Sequence, residues 1–252
     1  MRIMALQIYD AGIKTNTKYL TPELAYFLGG IYAANESVIA NGIRYWAAPV
    51  RYNPQYSTQT QTTEHFDNVC VISSKVDGYT VMKDNIKGTP LDSGKNRLPG
   101  FSTFFEATSL TALVTEIPNL KTVLLSSDEN VKKAFVLGVI DGRGTPDISI
   151  TKGIIRYLSL DCPNDDIGDF LHEVFKSIGL LCNYNTARDR LEGGAPRKPQ
   201  LRIKNVEDYM RGIGYISPAK FNNMKAVYMS KYGSAHESSG SAFMSGLKYL
   251  TR

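Results

Sequence analysis

The chain of 252 residues is poor in cysteine: Cys70, Cys162 and Cys182 make an odd count with no Cys-x-x-Cys pair. That argues against a disulfide framework and against a zinc ribbon, and it favours an intracellular, reducing compartment, cytoplasm or organelle matrix. No apolar run reaches the roughly 18 residues of a membrane-spanning helix, and the opening stretch is too polar after Ile8 for a clear signal peptide. The histidines His65, His172 and His236 are scattered with no metal-binding spacing, and no glycine-rich loop ends in Lys-Ser or Lys-Thr. These gaps leave no nucleotide cradle and no small-molecule cofactor site. Acidic charge is slightly outnumbered, 29 Lys and Arg against 24 Asp and Glu, and the mildly basic net +5 permits a polyanionic partner without demanding one.

What is present is a globular composition, 42% hydrophobic and 10% aromatic, on a chain long enough for one large domain or two small ones. A weak internal repeat divides it. The stretch "FLGGIYAANES" (27–37) superposes without a gap on "FVLGVIDGRGT" (135–145), Gly30 falling on Gly138 and Ser37 on Thr145. Thr21-Pro22-Glu23 opens the first helix with a capping hydroxyl, a proline suited to the first turn and an acid at the positive end of the dipole; Ser127-Asp128-Glu129 opens the second in the same way. Strand-like segments follow each helix, at 42–52 and 153–161, where Gly-Ile-Arg-Tyr answers Gly-Ile-Ile-Arg-Tyr.

In the first half the sequence then predicts a polar loop (53–65), strands at 68–76 and 79–84 joined at Asp77-Gly78, a turn-rich segment (87–100) and a helix near 107–117. The second half carries an amphipathic helix at 166–179, with Ile167, Phe170, Leu171, Val174 and Ile178 on one face. Strands at 180–191 and 198–205 and short helices at 206–213 and 217–229 come next, before a tail expected to be mobile. The pattern is α+β: two pseudo-symmetric αββαββα-type lobes, residues 1–120 and 121–232, with a flexible tail at 233–252. Gly29, Gly30, Ala33 and Ala34 on one lead helix, with Gly138 and Gly142 on the other, allow the two to pack with their backbones close.

These two stretches resemble the motif of the LAGLIDADG homing endonucleases in their single-chain, two-motif form. Against the form L-A-G-F-I-D-G-D-G-S, the first copy reads Leu28-Gly29-Gly30-Ile31-Tyr32-Ala33-Ala34-Asn35-Glu36-Ser37 and the second Val136-Leu137-Gly138-Val139-Ile140-Asp141-Gly142-Arg143-Gly144-Thr145. The closing "RGIGYISPAKFNNM" is similar to the family's domain end, and the likeness covers roughly residues 20–230. The resemblance implies that the motif helices join the lobes, that the antiparallel sheets form a saddle on double-stranded DNA, and that a monomer suffices. Mg²⁺ would be the cofactor of cleavage.

The resemblance also exposes a departure. The acid that closes each family motif holds Mg²⁺ over the scissile phosphates; here those positions are Asn35 and Arg143. Asn keeps an oxygen and loses the charge, whereas Arg cannot ligate a cation at all. Three readings stay open: site-specific DNA recognition with cleavage lost; an active homing or restriction-like endonuclease using displaced acids, Glu36 beside Asn35 and Asp141 or Asp147 around Arg143; or a disabling replacement, natural or introduced, at Asn35. Candidate metal ligands are therefore Asn35, Glu36 and Asp141, and candidate catalytic positions these three with Arg143. Candidate DNA contacts are Arg44, Trp46, Arg51, Lys75 and Lys83 in the first lobe and Arg156, Arg188, Arg190, Arg202 and Lys204 in the second, placed by alternation along strands. Tyr45 and Tyr157 are the residues of those strands expected to face the core instead.

Overall fold

The structure, a computed structural model, describes residues 20–34, 37–40, 43–52, 60, 61, 64, 65, 67, 68, 89–91, 100–106, 117–149, 152, 154–186, 198–222, 224 and 227. The chain is α+β, and its two halves repeat one order of elements. Helix α1 (Pro22–Ala34) leads strands β1 (Ser37–Ala40) and β2 (Ile43–Tyr52); β3 (Thr89–Leu91), β4 (Gly100–Glu106) and helix α2 (Ile117–Ser126) follow. Helix α3 (Glu129–Arg143) leads β5 (Thr145–Ser149) and β6 (Ile154–Asp161); α4 (Asp165–Ser177), β7 (Cys182–Asn185), β8 (Gln200–Ile203) and α5 (Val206–Gly212) follow. Both sheets have four strands and are antiparallel, in the orders β1-β2-β4-β3 and β5-β6-β8-β7. Residues 60, 61, 64, 65, 67 and 68 are helical and stand in the first half where α4 stands in the second.

Local chemistry sets the helix ends. Thr21 Oγ1 accepts from the Leu24 N–H at 3.3 Å, and Asp128 caps α3 by accepting from Val131 N at 3.0 Å. Asn164 does the same for α4, accepting from Ile167 N at 2.9 Å. α4 buries Ile167, Phe170, Leu171, Val174 and Phe175 against Leu158, Leu160, Leu201 and Ile203, the alternate residues of β6 and β8. Tyr32 of α1, Phe135 of α3 and Phe170 of α4 meet in a triangle of rings with centroids 5.4 to 6.2 Å apart. The core is thus continuous from the first lead helix, through the second, to the helix covering the second sheet.

Several expected elements are differently placed. The loop expected at 53–65 contains helical residues, and residue 68, expected to begin a strand, is helical. A strand, β3, lies inside the segment read as turns, and β1 and β5 precede the strands that were expected. These three are edge strands, and β3 and β5 carry Pro90 and Pro146, which an edge tolerates because it need not donate every N–H. The helix closing the first half is Ile117–Ser126; a division at 120/121 would cut it, and the break in regular structure comes at Ser127 and Asp128. The hairpin at Asp77-Gly78, residues 107–116 and the tail 233–252 lie outside the described residues. No described helix is long and apolar enough to cross a membrane.

Candidate nucleic-acid interface

The two lead helices cross in backbone contact. A Cβ added to Gly138 would overlap the carbonyl of Tyr26, and one added to Gly29 would overlap the carbonyl of Phe135. Only glycine permits that approach.

Beside the crossing lies a buried polar cluster. The Asp141 carboxylate is 3% exposed and fully engaged: Oδ2 accepts from the Tyr26 hydroxyl at 3.2 Å and from Ile216 N at 3.1 Å, and Oδ1 accepts from Ser217 N at 3.3 Å. Lys220 Nζ donates to the carbonyls of Ile140 and Asp141, at 2.7 and 2.6 Å, and so caps the last turn of α3. His65 Nε2 lies 3.5 Å from the Tyr26 hydroxyl and 3.9 Å from Asp141 Oδ2. Burial pushes the Asp141 carboxyl up to about 6, with Lys220 and the two backbone donors pulling it back. Burial, then Lys220, pushes His65 down to about 3. His65 is therefore a neutral polar neighbour at ordinary pH, not the cationic half of an ion pair.

This geometry corrects the expectation that Asp141 is a metal ligand or displaced catalytic acid. Its oxygens point into the protein and bind one residue of α1 and two of the segment after α5. At the gapless equivalent position of the first motif stands Ala33, so the cluster belongs to one motif only. Asp147, the other displaced acid considered, is held by Arg156, whose Nε and Nη2 donate to Oδ1 at 3.0 and 2.6 Å. Bonds from Tyr157 and Arg156 draw its carboxyl below the usual range. Arg143 closes α3, half-buried, where a cation suits the negative end of the helix dipole. Asn35 and Glu36 lie outside the described residues. Among the described residues no group of three or more His, Cys, Asp or Glu side chains could hold a metal ion. With a guanidinium at the end of α3 and Asp141 turned inward, the second motif does not fit Mg²⁺.

The second sheet presents a different surface on the side away from α4. Between the buried Leu158, Leu160, Leu201 and Ile203 lie Tyr157, Ser159, Asp161, Gln200 and Arg202, all half or fully exposed. Cross-strand pairing aligns Thr145 with Ser159 and Asp147 with Tyr157 on one side. Ser159 aligns with Arg202, and Asp161 with Gln200; Asn183 and Asn185 of β7 complete the rows. Every one of these residues is polar, and none is a lysine or an aliphatic.

Arg156 joins this face through a bulge. The register steps from Asp147 opposite Tyr157 to Ile148 opposite Ile155, so Arg156 is the extra residue on β6. Without the bulge its parity would place it with Leu158 and Leu160 in the core. Tyr157, expected to face inward, is on the open face, and the Arg202 guanidinium lies over its ring, 4.8 Å from the centroid.

Of the residues singled out from sequence, Arg156 and Arg202 are thus brought together, and Lys204 is exposed just beyond β8. Arg44, Trp46 and Arg51 are on β2. Trp46 pairs with Ser37 as Ser159 pairs with Thr145 at the start of β5, so it holds the matching register position in the first sheet; Arg44, opposite Ile39, matches Tyr157. Arg51 is opposite Ser102, past an irregularity. Lys75, Lys83, Arg188 and Arg190 lie outside the described residues. Gln200, Asn183 and Asn185 carry no charge and were not among the expected contacts; the signal that marks them is the alternation in "QLRIK" and "CNYN".

No family model matches the sequence and no curated protein matches it. Among solved structures the chain is similar to mesophilic variants of the homing endonuclease I-DmoI, with a TM-score of 0.46 and 12% identity over 77% of this chain and 90% of that one. It is similar to I-DmoI in complex with DNA and Ca at a TM-score of 0.44, 10% identity, covering 81% of this chain and 98% of that one. For I-DmoI in complex with DNA and Mn the values are 0.40, 11%, 78% and 97%. At this distance the functional case rests on the chain's own residues and geometry.

Proposed function

We propose that the protein recognises a specific sequence in double-stranded DNA as a monomer, laying the open faces of its two sheets along the major groove, and that it cleaves that site poorly or not at all. The observation that carries the reading is the repeated unit itself. Two four-stranded antiparallel sheets of identical order follow two helices in glycine-mediated backbone contact, and the second sheet turns a largely polar face outward. The resemblance of both motifs to the LAGLIDADG form supports it. A β-ribbon fits the major groove, where each base pair shows a distinct pattern of donors and acceptors. Tyr, Ser, Asn, Gln and Arg side chains can match that pattern; an aliphatic face could not. A net charge of +5 complements the phosphates. Both lead helices come from one chain, so no partner subunit is needed to complete the crossing.

The loss of cleavage follows from what stands at the motif ends. Arg143 is a cation where the resemblance implies a metal-binding acid, and Asn35 is neutral. Asp141 does not substitute, because its oxygens are already satisfied in the interior. An active enzyme would depend on Glu36.

Selection of binding sites from a randomised duplex library tests the proposal: the unmodified chain should enrich one extended site and bind it as a monomer in sedimentation. Affinity for that site should fall steeply with salt, roughly 10³-fold or more between 50 and 200 mM if about six phosphates are neutralised. Affinity that does not change over this range would exclude a charged DNA interface, and a dimer built through α1 and α3 would contradict the monomeric reading.

A further inference from the structure

We infer that Arg202 is the residue of the second sheet that selects guanine, an inference that rests on the DNA-recognition reading above. The open face carries two arginines in contrasting states. Arg156 spends its Nε and Nη2 on the Asp147 carboxylate, which neutralises it. Arg202 is braced by neutral groups, with the Asp147 carboxylate acting on it only through its field: its Nε donates to Gln200 Oε1 at 2.7 Å, and its guanidinium lies over the Tyr157 ring.

The brace is itself oriented. Gln200 Nε2 donates to Asp161 Oδ1 at 2.8 Å, on the neighbouring strand and directly across the ladder. That bond fixes which end of the amide meets Arg202: the oxygen, which can accept from Nε. Asp161, Gln200 and Arg202 thus form a chain along the open face that ends in a flat guanidinium supported by a ring. Among the described residues, neither Nη of Arg202 meets a hydrogen-bond acceptor.

A planar fork with its outer edge available matches the paired acceptors O6 and N7 of guanine, and it matches no other base edge in the major groove as well. Lysine, a point charge without the fork, would keep the attraction to DNA and lose the choice of base. Ser159 and Asn183 pair with Arg202 across the ladder on its two sides, so small polar residues flank the guanidinium and leave room for a base pair. Tyr157 and Gln200 are positioning residues in this arrangement; Arg202 makes the contact.

The test compares sites enriched from a randomised duplex DNA library by the unmodified protein, Arg202→Lys and Gln200→Ala, each with its unfolding midpoint recorded. The expected result is one base pair at which guanine is strongly preferred by the unmodified protein. Arg202→Lys should flatten that preference about ten- to a hundred-fold and leave the other positions unchanged. Gln200→Ala, which removes the brace and keeps the guanidinium, should reduce the same preference without abolishing it. An Arg202→Lys protein that is folded and selects the same guanine overturns the inference while the DNA-recognition reading stands. An unmodified protein that enriches no duplex, or that prefers single-stranded RNA of random sequence, overturns that reading and this inference with it.

Discussion

Gly138→Ala should destabilise the protein by about 3 kcal/mol, and Gly138→Leu should prevent the lead helices from meeting at all. A single methyl is a small change on most helices, and at an exposed helical site it gains stability. At Gly138 the added carbon would overlap the Tyr26 carbonyl and sit 3.1 Å from Gly30 N. Both neighbours are backbone, so no side chain can rotate away, and relief requires the helices to separate. Overpacking a rigid contact typically costs about 1–3 kcal/mol and more when backbone must move. The control is Gly212→Ala at the end of α5, where an added Cβ meets nothing within 4 Å; it should be neutral or slightly stabilising. Urea denaturation of the two variants beside the unmodified chain checks the contrast. A Gly138→Ala protein as stable as the Gly212→Ala control would show that α1 and α3 do not cross at this residue.

Asp141→Ala should be comparably damaging for a different reason. The substitution removes the acceptor for the Tyr26 hydroxyl and for the amides of Ile216 and Ser217, all in the core. Each buried donor left without a partner costs about 1–3 kcal/mol, so a loss of roughly 3 kcal/mol or more is expected.

The pH profile should change as well. Asp141 has a folded value above its unfolded one, so its contribution is fullest at low pH and falls as pH rises through about 6. His65 has a folded value near 3 and an ordinary value of 6.5, so its contribution is present above 6.5 and lost as pH falls toward 3. Between about pH 4 and 6 the two slopes oppose each other. Removing Asp141 leaves the His65 slope alone, and Asp141→Ala should therefore lose stability on acidification below 6.5 more steeply than the unmodified chain. Chemical denaturation at intervals from pH 4 to 7 reads both effects. Unchanged stability with an unchanged profile would mean that this carboxylate holds nothing together.

Much of the architecture was written in local signals. Capping residues at Thr21 and Asp128 mark the starts of α1 and α3, glycines mark the crossing, and the spacing of Ile167, Phe170, Leu171 and Val174 marks α4 with its buried face. The elements that escaped are those whose stability is not local. β1, β3 and β5 are short edge strands held by one neighbour each, and two of them contain proline, which reads as a turn; β4, where no strand was expected, is a central strand paired with β2 on one side and β3 on the other. α2 begins at Ile117-Pro118, where the eye expects a break; proline is compatible with the first turn of a helix.

The site was less legible than the fold. Asp141 lies on the motif helix, and nothing near it in sequence announces that Ile216 and Ser217 will close on it. Its role became visible only once those distant amides were placed. Arg156 was reachable by its charge, but its face was not, because a single extra residue on β6 reverses the alternation. Gln200, Asn183 and Asn185 carry no charge to mark them as DNA contacts, although alternation with Leu201, Ile203, Cys182 and Tyr184 groups them on one face.

Under the proposed function this double unit binds a defined duplex and leaves it whole. The direct measurement incubates the unmodified chain with its selected duplex in Mg²⁺ and resolves bound complex, nicked strands and double-strand breaks on gels run in parallel. The expected result is a discrete complex at the selected site with both strands intact or at most one nicked. Efficient double-strand cleavage that disappears in Glu36→Gln would contradict it, because the catalyst would then be an acid displaced by one residue from the motif end that Asn35 occupies.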